Sequence, residues 1–194
     1  ALGVDIETAA DLAVAVGSDL AINGATTVAI GSALTANGDF AVVIGSGITT
    51  PADDNIVAIG TGAVVAGVNA IVIGSGSTVN GANALSLGSL SSSTGDNATA
   101  IGSAVTAAGL NALAIGAFST ATGNSSMAIG SSATTAGDAM IAIGSCVAAS
   151  GAYALALGFS TSAVGVDSVA IGAHSNASGL NSIAIGSHAI AAGD

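Results

Sequence analysis

Lysine, arginine and tryptophan are absent from this 194-residue chain, and proline and cysteine occur once each. With no basic side chain to offset them, the 11 Asp and Glu residues leave a formal charge of −11. Nucleic-acid binding is thereby excluded, because affinity for phosphate rests on cationic side chains that release counterions. Direct contact with anionic membrane surfaces is disfavoured for the same reason. A single cysteine, Cys146, excludes a disulfide framework. Aromatics make up 2% of the chain, while apolar residues reach 51% as evenly spread Ala, Val and Ile, with no run long enough to span a bilayer. That composition suits a thin, repetitive core. No signal peptide, tail anchor or lipidation motif is evident, and an internal fragment of a longer repeat protein is expected.

What is abundant is glycine, and it is periodic. Between Gly3 and Gly186 thirteen intervals separate successive glycines; twelve are 14 residues long, and only Gly45 to Gly60 is 15. A second glycine follows most of these by seven residues, as at Gly24, Gly38, Gly67 and Gly81. So strict a period means one short unit copied along an axis, and a single elongated domain over residues 1–194 is expected. The longer interval holds Pro51-Ala-Asp-Asp-Asn55, where Asp53 takes the usual glycine phase. The extra residue should bulge outward there and leave the core in register.

Large aliphatic residues precede the 14-residue glycines by one position (Val16, Ile30, Ile115, Ile185) and by three (Val14, Val28, Leu113, Ile183). Two residues apart on a strand share a face, so these columns point the same way. Between them runs a column that is Ala in ten of thirteen repeats, with Val43, Val72 and Ser86 completing it. The second half of each repeat alternates too. Val105/Ala107, Ser119/Ala121, Val147/Ala149 and Ala189/Ala191 are expected inward, with Thr106, Thr120, Thr134 and Asn176 outward. Each repeat therefore predicts two strands of about five residues joined by glycine corners with positive φ. A helix is disfavoured, since each interior glycine costs roughly 1 kcal/mol. The expected fold is an all-β parallel solenoid with coils about 4.8 Å apart. Size suggests that the large aliphatics fill the coil and the Ala column faces out. An apolar stripe of that length predicts burial against other copies of the chain, favouring a cyclic homo-oligomer.

The units Asn111-Ala-Leu-Ala-Ile-Gly116 and Asn181-Ser-Ile-Ala-Ile-Gly186, each followed by a small-residue stretch ending in Gly, resemble the head repeat of trimeric autotransporter adhesins of the YadA-like kind. The resemblance covers nearly the whole chain. It implies a left-handed parallel β-roll assembled as a side-by-side homotrimer. It further implies the surface-exposed head of an outer-membrane-anchored bacterial fibre that attaches to matrix proteins, cells, abiotic surfaces or other bacteria. No heptad stalk, neck motif or anchor barrel is present, and the resemblance brings no binding residue with it.

Candidate sites are few. His174 and His188 occupy the same position in adjacent coils and should stack about 4.8 Å apart. They are expected as an exposed pair, with transition-metal binding as the other reading. Cys146 and Phe118 share that column, and Phe118 and Phe159 offer apolar surface for a ligand. Asp39, Asp54, Asp96, Asp138 and Asp194 follow the second-glycine phase as turn carboxylates, without the spacing of a calcium-binding nonapeptide. Asn69, Asn83, Asn97 and Asn111 should hydrogen-bond turn backbone between coils.

No catalytic set emerges and no cofactor is expected, because carboxylates lie in turns and no Ser-His-Asp arrangement is evident. The alternative function is ice binding through Thr35, Thr49, Thr78, Thr106, Thr120 and Thr134 in one outward column, interrupted by Val64, Ser92 and Ala148. A hexapeptide-repeat acyltransferase is excluded by the period.

Overall fold

The computed structural model describes residues 1–9, 11–52 and 55–193. It contains no helix among them, and contacts divide it into two units, Ala1–Asn97 and Ala98–Asp194. In both, the chain winds as a parallel β-solenoid, each strand pairing with its equivalent one repeat on.

In the first unit the opening strands are long. Leu2–Thr8, Val14–Ile22, Val28–Ala36 and Val42–Thr49 pair side by side, with the ladder running through the corner glycines, as Gly17 pairs Gly31. From Val57–Thr61 onward a second short sheet appears opposite, built from Val64–Val65, Thr78–Val79 and Ser92–Ser93. The insertion changes no pairing: Val42, Ile44 and Gly45 meet Val57, Ile59 and Gly60, an offset of 15 where its neighbours have 14. Register is preserved as expected; Asp53 and Asp54 themselves lie outside the described residues.

The second unit is more regular. Each coil has a three-residue strand such as Leu113–Ile115 and a two-residue strand such as Thr120–Ala121. The expected five-residue strands shorten because every corner consumes three residues as a turn.

The side-chain assignment is the reverse of the sequence expectation. Ala100, Ala114, Ala128, Ala142, Ala156 and Ala170 are completely buried inside their own coils, as are Ala29, Val43, Ala58 and Val72 of the first unit. The flanking aliphatics point out, with Ile141 37% and Leu157 39% exposed. The physical reason is space. A 14-residue coil with two tight corners holds its facing strands too close for two large aliphatic side chains within each slab of about 4.8 Å. Alanine, serine, threonine and valine fit, so the middle residue of the strand turns inward. The second half-repeat behaves as expected, with Val105, Ala107, Ser119, Ala121, Val147 and Ala149 buried. The first three full coils vary the recipe, taking Leu20, Ile22, Leu34 and Ile48 into the core.

The two glycine columns also serve different needs. Gly116 has φ +117°, as expected of a corner glycine. Gly109 is not in the left-handed region; a Cβ there would overlap the carbonyl of Gly123 in the next coil. Close approach of backbone, not φ, selects it. Left-handed backbone falls two residues after each glycine, on residues such as Asn111 (φ 56°), Phe118 (60°) and Ser125 (54°).

Candidate functional site

With the interior filled by small residues, four outward surfaces are available for chemistry. The front face of the second unit carries two apolar files in register: Leu113, Met127, Ile141, Leu155 and Val169, beside Ile115, Ile129, Ile143, Leu157 and Ile171. Residues along each file meet their counterparts one coil on, so the files are continuous. No charged residue interrupts them. The first unit presents the same pattern from Val14/Val16 to Leu85/Leu87, with Val14 52% exposed. The apolar stripe expected from the sequence therefore exists, but isoleucine, valine and leucine make it, not alanine.

The back face carries the threonine column. Thr106, Thr120 and Thr134 pair in register, and the file then passes to Ala148 and Ser162. Val64 pairs Thr78 in the first unit, so the hydroxyl array is broken in both units.

At the corner after the 14-residue glycine, the left-handed position is occupied in consecutive coils by Cys146, Ser160, His174 and His188. Cys146 is a free, exposed thiol. His174 and His188 stack with centroids 5.0 Å apart and planes 27° apart, close to the spacing expected. Phe159 meets the edge of His174 at 5.4 Å and 86°. Both histidines and both Phe118 and Phe159 are exposed. Among the described residues no group of three or more His, Cys, Asp or Glu is placed to hold a metal ion.

At the opposite corner, side chains link coil to coil. The amide of Asn55 donates to Oδ1 of Asn69, and that of Asn69 to Oδ1 of Asn83, both at 3.0 Å. Asn69 and Asn83 were expected to bind turn backbone; the Asn69 amide instead runs along the stack to Asn83. Backbone is bound by the neighbouring column. Asp39 accepts from the N–H of Ala25 at 2.6 Å, Asp96 from Ala82 at 2.9 Å and Asp138 from Asn124 at 2.7 Å, each one coil back. Asn124 does the same for Leu110 at 2.9 Å. These turn carboxylates are structural staples. Asp54 and Asp194 lie outside the described residues.

Sequence reasoning passed over one groove, on the first coils, lined by Asp5, Glu7 and Asp19 with Ile6, Leu20 and Leu34. Its signal was the 14-residue spacing of Asp5 and Asp19.

A comparison with curated proteins returns no match. The profile of the YadA head domain repeat (2 copies) matches residues 57–77, 80–104, 107–133, 121–145, 149–175, 163–189 and 177–194. Those segments cover well over half of the sequence, and from residue 107 on they start 14 or 28 residues apart, in step with the coils, so the chain belongs to the YadA head domain repeat family.

Proposed function

We propose that the chain is the head of a trimeric surface adhesin, a non-catalytic element that holds a bacterium to matrix proteins, cells, abiotic surfaces or other bacteria. Three copies would form left-handed rolls packed side by side through their front faces. The observation that carries this reading is the pair of uncharged aliphatic files running coil after coil on one face. A continuous apolar surface of that extent on a monomer calls for a partner, and a repeated, self-complementary one suits a closed ring of identical copies. Family membership supports the same assembly.

The charge of −11 directs external binding toward basic or uncharged partners. Each coil repeats similar contacts, so weak individual contacts multiply into firm attachment. Analytical ultracentrifugation tests the assembly: a trimer is expected, and the variant Ile129→Asp/Ile143→Asp should sediment as a monomer. Attachment is tested by coating beads with the chain and counting their retention on matrix-protein, cell and polystyrene surfaces. A stable monomer, or beads that adhere to none of these, would overturn the proposal.

A further inference from the structure

His174 and His188 form the sole direct contact between histidine rings in a chain with no other histidine, and we propose that they are a two-imidazole site for a borderline divalent transition ion, Cu2+ above all. The platform is rigid. Both residues hold left-handed backbone, φ 57° and 60°, and both are tied into the ladder. The N–H of His174 donates to the carbonyl of Phe159 at 2.8 Å, and that of His188 to Ala173 at 2.9 Å. Coil spacing then fixes the separation of the two side chains without help from flexible loops.

That separation suits an ion. Metal–imidazole bonds of about 2.0–2.1 Å put two nitrogens on one ion about 3–4 Å apart, within reach of side chains rooted one coil apart. The stacked rings, with centroids 5.0 Å apart, hold both side chains on the same side of the roll. Because both are exposed, rotation about χ1 and χ2 turns their in-plane lone pairs from side by side toward a shared ion. Ser187 orients one of them: its Oγ lies 2.9 Å from Nδ1 of His188. In the tautomer that donates from Nδ1 to the serine, the Nε2 lone pair is left free for a ligand, and such a partner on the second nitrogen also raises ligand basicity. Phe159 adds a T-shaped contact to His174 at 5.4 Å.

The donor type sets selectivity. Imidazole suits Cu, Zn and Ni, whereas Ca2+ and Mg2+ need oxygen donors. Two protein nitrogens with water completing the shell make a site of moderate affinity, complete within one chain, so it stands independently of the trimer.

The test is calorimetric titration of the intact chain with Cu2+, joined to electron paramagnetic resonance of the bound ion. One ion per chain and hyperfine structure from two equivalent nitrogens are expected. His174→Ala and His188→Ala should each weaken binding about a hundredfold, since either removes the chelate advantage of a second tethered ligand. Cys146→Ser should bind like the parent, and Ca2+ should give no heat. Copper retained at full affinity in either histidine variant, loss of binding in Cys146→Ser, or a single-nitrogen spectrum would each overturn the site.

Discussion

Ile141 and Ala142 are adjacent on one strand and face opposite worlds: the alanine is completely buried in its coil, the isoleucine 37% exposed on the front face. The coil interior is therefore a narrow slot. Ala142→Leu should force side chain and backbone apart and destabilise the fold by about 1–3 kcal/mol. Ile141→Thr keeps a β-branched residue on the strand and should change the stability of the isolated chain by no more than about 0.5 kcal/mol. Urea unfolding at concentrations that keep the chain monomeric separates the two. Equal losses would contradict the inward alanine.

A second prediction concerns the left-handed corners. Ala139 has φ 54°, a conformation that costs an L-residue about 1–2 kcal/mol and glycine nothing comparable. Ala139→Gly should therefore raise stability by up to about 1 kcal/mol, after allowing for the greater chain entropy glycine loses. Ala136, three residues earlier, is outside the left-handed set, and Ala136→Gly should lower stability by about 0.5–1 kcal/mol. Opposite signs of the shift in Tm are the expected result.

The turn carboxylates make a third. Asp138 accepts the N–H of Asn124 at 2.7 Å, and Asn124 accepts that of Leu110 at 2.9 Å with an amide oxygen. The position needs an acceptor more than a charge. Asp138→Asn should be close to neutral, while Asp138→Ala should cost about 0.5–1.5 kcal/mol by leaving the amide to water. Hydrogen exchange at the Asn124 amide reports the local effect, with faster exchange expected only in the alanine variant.

Much of this was legible in the sequence because the repeat is strict. The glycine period gives the coil length, the alternation gives strands, and the single 15-residue interval gives the offset between Val42 and Val57. What alternation cannot do is label the faces. Both Ala142 and Ile141 are apolar, so the pattern offers two buried-looking sides, and residue size points to the wrong one. A subtler signal was available: in thirteen coils the inward column never holds anything larger than valine and admits Ser86, as a confined slot requires. The stacked histidines were also legible, since equal phase in adjacent coils puts His174 beside His188. The amide ladder from Asn55 to Asn83 was not, because its partners depend on φ at each corner rather than on spacing.

The last prediction concerns a polar layer inside the first unit. In one coil three of the inward positions are serine: Ser86, Ser91 and Ser93 are buried together, next to Ala84 at the edge of the apolar cluster. Their hydroxyls are satisfied. Ser86 and Ser91 share a hydrogen bond of 2.5 Å, Ser91 donates to Gly88 at 3.0 Å and Ser93 to Leu85 at 2.6 Å. Breaking such a network at one point costs more than removing it whole, because a lone buried hydroxyl keeps its desolvation penalty. Ser91→Ala alone leaves Ser86 without its hydroxyl partner and should destabilise by about 1–3 kcal/mol. The triple change Ser86→Ala, Ser91→Val, Ser93→Ala copies the inward set Ala100, Val105, Ala107 of another coil and should be neutral or stabilising. A double-mutant cycle between positions 86 and 91 measures the coupling directly, and additive losses would show that these hydroxyls act independently.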